Sequence, residues 1–187
     1  MAMRIDPQWL SKQLSKNSYL ISNILLGLLL DDHVGGCTLF KNKDKINLYS
    51  LGCSDGSESY SMAIKFLELQ KKNPKNYVNI FPIIAIDKDS EMIRLAKSGK
   101  INLLMEDISE LDSQIGNDNE NNYFEYLNGQ ELKTTNYTSY RFKTYTVSDK
   151  LQESVNFECG DILETIKNIK DKGNTVIMCR NTSPFLS

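Results

Sequence analysis

The alternation of apolar and polar positions divides the chain into recurring strand and helix signals. Trp9, Leu10, Leu14, Leu20, Ile21, Ile24, Leu25 and Leu28 recur at helical intervals between Pro7 and Leu30, with a break at Lys16-Asn-Ser18. This pattern predicts N-terminal helices packed against the rest of the chain. Asp31 to Asp44, with Gly35-Gly36 and a Lys/Asp cluster, predicts a solvated connector. Ile46, Leu48 and Leu51 then mark a strand, and Tyr60, Ala63, Ile64 and Leu67 mark one face of a helix. Lys71-Lys-Asn-Pro-Lys-Asn76 reads as a loop. Ile80 to Ile86 is a continuous apolar run, as expected of a strand buried on both faces and ending at Asp87. Asp89-Ser90 cap a helix carrying Met92, Ile93, Leu95 and Ala96, closed by Gly99.

After Gly99 the alternation is interrupted as far as Lys150. Ile115 to Asn122 is polar and predicts a loop, and Tyr123, Phe124, Tyr126, Tyr137, Tyr140, Phe142 and Tyr145 follow it. Such density allows a base-stacking surface. The alternative is a small excursion packed on its own aromatics with short β pairing, and the lack of a basic stripe favours it. Val155 to Cys159 predicts a third strand. Asp161 caps a helix bearing Ile162, Leu163, Ile166 and Ile169, ended by Gly173, and Thr175 to Cys179 predicts a fourth strand. Strands that alternate with helices predict an α/β fold with a parallel sheet and right-handed crossovers.

Length and composition narrow the picture. With 187 residues the chain suits one domain of ordinary size, and 40% hydrophobic content suffices for a core. A formal charge of −2 argues against a nucleic-acid partner, which would call for a basic surplus. Cys37, Cys53, Cys159 and Cys179 form no Cys-x-x-Cys pair, and His33 is the single histidine, so no metal site is expected. Three of the cysteines lie in apolar strand contexts typical of buried thiols, which suits a reducing cytoplasm. The run Ile24 to Leu30 is far short of the roughly 20 residues that span a bilayer, so no membrane insertion is expected.

The richest chemistry lies after the first strand. Gly52 and Gly56 bracket a loop, Ser54 and Asp55 are good helix N-caps, and Glu58 lies near the first helical turn. A strand–glycine loop–helix unit exposes backbone N–H groups where a nucleotide-like ligand can dock. The pattern is Gly-x-x-x-Gly, not Gly-x-Gly-x-x-Gly, and no Gly-Lys-Ser/Thr follows, so nucleotide hydrolysis is not indicated. In a parallel sheet the loops at Gly52–Asp55, Asp87 and Asp161 emerge at one edge. A carboxylate after the second strand can accept both hydrogen bonds of a ribose diol. Asp87 fits that position, although an aspartate there also serves simply to start a helix. Asp161 or its neighbours would sit near an adenine.

Gly52-Cys-Ser-Asp-Gly-Ser-Glu-Ser-Tyr-Ser-Met-Ala63 resembles the first motif of the CheR-type chemotaxis receptor methyltransferases, Gly-Cys-Ser-Thr-Gly-Glu-Glu-Pro-Tyr-Ser-x-Ala. Ser57 replaces a glutamate and Ser59 the proline. Ala85-Ile-Asp-Lys-Asp89 resembles the family's Thr-Asp-Ile-Asp segment. Cys159-Gly-Asp-Ile-Leu163 is similar to its Asn-Leu-Leu, and Val176-Ile-Met-Cys-Arg-Asn181 to its Ile-Phe-Cys-Arg-Asn. The likeness runs from about Lys16 to the C-terminus. It implies a Rossmann-like class I methyltransferase sheet, incomplete, with about four parallel strands in the order 3-2-1-4 and N-terminal helices. The division expected is an N-terminal helical segment and connector over 1–44 and a cofactor domain over 45–187.

The resemblance also implies S-adenosyl-L-methionine as cofactor and methyl transfer to a receptor glutamate carboxylate. Gly52, Cys53, Ser54, Glu58, Asp87, Asp161, Ile162, Arg180 and Asn181 are the implied cofactor residues. Arg180 and Asn181 are also the candidates for orienting the acceptor, and a structural pair at a strand end is the alternative for them. The expected setting is a cytoplasmic monomer acting on a chemoreceptor-like cytoplasmic domain. Three departures stand out. Ile21 occupies the position of the family's N-terminal arginine, Phe185 that of a strand-four tyrosine, and family members continue past the position of Ser187 with a helix and about three strands. These departures keep open a second reading, a catalytically inactive cofactor- or partner-binding module.

Overall fold

The computed structural model describes residues 45–72, 79–104, 123–134, 139–171 and 174–179. The expected helices of Pro7–Leu30, the connector 31–44, the loop 115–122, Gly173 and everything from Arg180 onward lie outside the described residues, as do His33 and Cys37.

Two sheets organise the described residues. The first contains β1 (Asn47–Leu51), β2 (Ile83–Asp87), β6 (Val155–Cys159) and β7 (Thr175–Cys179), all parallel in the order β6-β2-β1-β7. In terms of the four parallel strands this is 3-2-1-4, the order expected. The second sheet is antiparallel, β3-β5-β4, built from β3 (Lys100–Leu104), β4 (Phe124–Thr134) and β5 (Ser139–Val147). Four helices complete the described elements, α1 (Ser57–Lys72), α2 (Ser90–Lys97), α3 (Asp149–Glu153) and α4 (Ile162–Asn168), all of them connecting strands, and a single turn precedes β7 at Asn174.

Several expectations shift at their edges. Lys71 and Lys72 extend α1 rather than opening a loop, because Lys71 pairs with Glu68 one turn earlier. β2 begins after Pro82, since proline supplies no N–H for the ladder. β2 is buried on both faces except at Ile84: Ile83 and Ala85 are fully buried on one face and Ile86 is buried on the other, whereas Ile84 is half-buried in a row with Tyr49, Asn156 and Ile177. α1 and α2 pack on β2 and β6, on the side of Ala85 and its partner Phe157, which meets Tyr60 of α1. Cys159 and Cys179 are exposed rather than buried, because they stand at the last residue of their strands.

The interrupted stretch is more than a self-contained excursion with short pairing. β4 and β5 are 11 and 9 residues long, and the base of their sheet enters the main core. Ile101, Tyr123, Phe124, Tyr145, Val147 and Leu151 belong to the same buried cluster as Leu48, Met62 and Ile83. The root is pinned by hydrogen bonds as well. Val147 N–H donates to the Gly99 carbonyl at 2.9 Å, Ser148 N–H to the Tyr123 carbonyl at 2.8 Å, and the Gln152 amide to the Lys97 carbonyl at 2.6 Å. The Tyr123 hydroxyl donates to Glu68 on α1, and Lys71 sits over the Tyr123 ring. Two elements were not anticipated. β3 is signalled only by Ile101 and Leu103, and α3 only by Ser148 ahead of Asp149 and Leu151.

Tyr60 joins α1 to the rest of this core. Its ring meets Phe157 edge-on at 5.3 Å, and its hydroxyl donates to the Ala96 carbonyl at 2.9 Å. The helix can come this close because Gly56 has no side chain. A Cβ there would lie 2.8 Å from Phe157 Cζ and 2.9 Å from Ala96 Cβ, and its φ of +83° already favours glycine. Gly56→Ala is therefore expected to destabilise the fold by about 2–4 kcal/mol, from overpacking and backbone strain together, read by urea unfolding.

Burial pushes the Tyr60 hydroxyl up to about 12 from an ordinary 10. Burial, then the hydrogen bond to Glu68, pushes Tyr123 up to about 12 as well. Above pH 10 the unfolded chain loses these protons while the folded chain keeps them, so stability falls as pH rises between 10 and 12. Tyr60→Phe should reduce the steepness of that alkaline loss and cost about 1–2 kcal/mol at neutral pH, where the Ala96 carbonyl loses its donor.

Candidate functional site

In a parallel sheet every strand points the same way, so the loops after β1, β2 and β6 share one edge. The register makes that edge level. Leu51 pairs with Ile86 on one side and Cys179 on the other, and Asp87 pairs with Cys159. Gly52, Asp87 and Cys159 therefore stand side by side.

Asp87 is the hub. Its carbonyl accepts the Gly160 N–H at 2.9 Å, tying in the loop after β6. Its carboxylate takes one backbone donor on each oxygen: Ser54 N–H on Oδ2 at 2.8 Å and Asp89 N–H on Oδ1 at 3.0 Å. Just behind it, the Ile86 carbonyl accepts from both Gly52 N–H at 2.7 Å and Cys53 N–H at 3.1 Å. Three successive N–H groups of the glycine loop are thus used on the end of β2. This corrects the expectation that the loop offers those groups to a ligand. Gly56 N–H donates to the Cys53 carbonyl, and Ser57 N–H to Asp55 Oδ1 at 3.1 Å, so Asp55 initiates α1.

The loop reaches this path through positive φ at Gly52 (74°), Ser54 (51°) and Gly56 (83°). For serine the left-handed region costs about 1–3 kcal/mol and persists only when its surroundings hold it there. Here the Asp87 carboxylate holds the main chain, and the Ser54 hydroxyl reaches Met92 Sδ at 3.8 Å.

The remaining expected residues fall around this hub in different ways. Glu58 lies in the first turn of α1, half-buried. Asp161 is exposed and caps α4, with Oδ1 accepting from Glu164 N–H at 2.9 Å, and Ile162 opens that helix half-buried. Cys53 is buried, as its apolar setting predicts. Its side chain is buried in the core at 4% exposure, so only its main chain lies at the edge. Burial, followed by the Asp87 charge, pushes its thiol up to about 12. Arg180 and Asn181 lie outside the described residues. Ser54 was expected as a contact but not as a donor to Asp87, and Gly160 and Met92 were missed altogether. The Asp-x-Asp spacing of Asp87 and Asp89 was the signal for the turn that caps the carboxylate.

A carboxylate has about four acceptor sites, and two are used here, so Asp87 retains capacity for a diol. The loop also carries carboxylates: Asp55, Glu58 and Asp87 lie on or beside it. Such a site suits a ligand that carries positive charge and no phosphate. The family described as "CheR methyltransferase, SAM binding domain" matches residues 29–187. The chain belongs to the CheR methyltransferase family. No curated protein matches it by sequence. The family match indicates S-adenosylmethionine as the cofactor, and the geometry fits one: an adenosyl group with a ribose diol, a cationic sulfonium and no phosphate. The match begins at residue 29, later than the resemblance that reached back to Lys16, so Ile21 falls outside it.

Among the described residues, no group of three or more His, Cys, Asp or Glu side chains is arranged to hold a metal ion, and no helix is long and apolar enough to cross a membrane. Thiolate, not thiol, is the reactive form of cysteine. Thiol labelling at pH 8 should therefore lose one fast-reacting equivalent on Cys159→Ser and none on Cys53→Ser; fast modification of Cys53 would contradict the buried loop described.

Proposed function

We propose that this chain is an S-adenosylmethionine-dependent methyltransferase that esterifies a glutamate carboxylate on a chemoreceptor-like protein in the cytoplasm. The observation that carries the reading is the level sheet edge at which Asp87, fixed by donors on both oxygens, faces the glycine loop. Asp87 accepts the ribose hydroxyls with its remaining lone pairs. Glu58 stands on the glycine-loop side of the site, and Asp161 with Ile162 border the adenine. When bound, the cofactor supplies a methyl group already activated on sulfur.

The acceptor glutamate ionises near about 4.3, so no general base is required of the protein at neutral pH. What remains for the chain is alignment and exclusion of water. Arg180 and Asn181 are assigned to orient the acceptor, on the strength of Cys179-Arg-Asn181 alone. The second reading, a binding module without turnover, draws on Ile21 and Phe185, which supply neither the cation nor the hydroxyl of the family pattern.

Two measurements separate these readings. Calorimetry with S-adenosylhomocysteine should show binding that weakens at least tenfold in Asp87→Ala, the loss of a charged acceptor from two hydroxyls. Labelled methyl transfer to a chemoreceptor-containing extract should give a base-labile methyl ester and vanish in the same variant. Binding without transfer would select the inactive module, and absence of binding would contradict both.

A further inference from the structure

We infer that Ser54 is a positioning residue whose main-chain N–H aims the Asp87 carboxylate, so that recognition of the ribose 2′-hydroxyl is set by the glycine loop. The inference rests on the cofactor reading above and adds how the diol is selected. An aspartate carboxylate turns on a broad terminal torsion, so an unrestrained one presents no fixed lone pairs. Here one donor sits on each oxygen, Ser54 N–H on Oδ2 and Asp89 N–H on Oδ1, and together they fix the carboxylate plane. Asp89 belongs to the same loop as Asp87, whereas Ser54 comes from a different strand end and so sets the plane relative to the glycine loop.

That loop has little freedom to move. Gly52 and Cys53 N–H share the Ile86 carbonyl, which places the next N–H opposite Asp87. Ser54 points its own N–H there only by adopting φ of 51°, in a region that β-branched residues avoid. Its side chain leans away to Met92 Sδ, so the hydroxyl is not the group that meets Asp87. The aim of the carboxylate is therefore built before ligand arrives, which lowers the ordering cost of binding.

The test uses the full chain and two probes, S-adenosylhomocysteine and its 2′-deoxy analogue, by calorimetry. In the parent the analogue should bind about tenfold more weakly, the worth of one hydrogen bond to a charged group. Ser54→Pro removes the N–H, and Ser54→Val keeps it but disfavours the positive φ. Each should weaken S-adenosylhomocysteine by about fivefold or more while barely affecting the analogue, closing the gap between them to within about threefold. Ser54→Gly, which keeps the N–H and accepts the φ, should restore the gap. If Ser54→Pro does not fold, Ser54→Val decides. Equal losses for both probes, or an unchanged gap in folded Ser54→Val, would overturn the inference while leaving the cofactor reading intact. A parent chain that binds neither probe would overturn both.

Discussion

The structure depends on Asp87 being the point where three loops meet. Its carbonyl holds the loop after β6, its Oδ1 holds its own loop, and its Oδ2 holds the glycine loop. A parallel sheet brings loops to one edge but does not join them. Here the joining is done by backbone donors converging on two adjacent residues, and four of the five contacts at Ile86 and Asp87 come from other loops. A negative charge that accepts two N–H bonds is stabilised where it stands, and it organises the donors in turn.

This arrangement explains the chemistry that the edge suits. A phosphate-binding loop leaves its N–H groups pointing outward; this loop directs Gly52, Cys53 and Ser54 inward to β2. What faces the edge is carboxylate, which suits an adenosyl sulfonium better than a nucleotide phosphate. Gly56 serves the same arrangement from behind. By letting α1 approach Phe157 and Ala96, it fixes the height of the helix that continues the loop. Tyr60 closes that approach with a ring contact on β6 and a hydrogen bond to the end of α2. The antiparallel sheet is held to the same frame through Gly99, Tyr123 and Glu68 rather than hanging from it.

The sequence made much of this legible because strand spacing and glycine placement are local signals. The four parallel strands, the caps at Asp89 and Asp161 and the positions of Asp87 and the glycine loop could all be read from apolar runs and the residues ending them, while the strand order came from the family resemblance. What could not be read depends on long-range geometry. The apolar run of β2 gave no sign that Ile84 would be half-buried while Ile86, on the same face, is buried. Cys159 and Cys179 looked like core thiols because their neighbours are apolar, but their place at the strand ends exposes them. Aromatic density between Tyr123 and Tyr145 suggested strands without showing that their root would share the main core. The destination of the loop's N–H groups was hidden for a similar reason. It depends on Ser54 taking a left-handed conformation that serine rarely adopts, held by the distant Asp87 carboxylate.

Under the proposed function, Asp87 holds the ribose while remaining tied to both loops. A crystal structure of the chain with S-adenosylhomocysteine tests it most directly. Both ribose hydroxyls should lie within hydrogen-bond distance of the Asp87 carboxylate, with Ser54 N–H and Asp89 N–H still donating to it. A ligand seated away from this edge, or a glycine loop that releases Asp87 to turn its N–H groups toward the ligand, would contradict it.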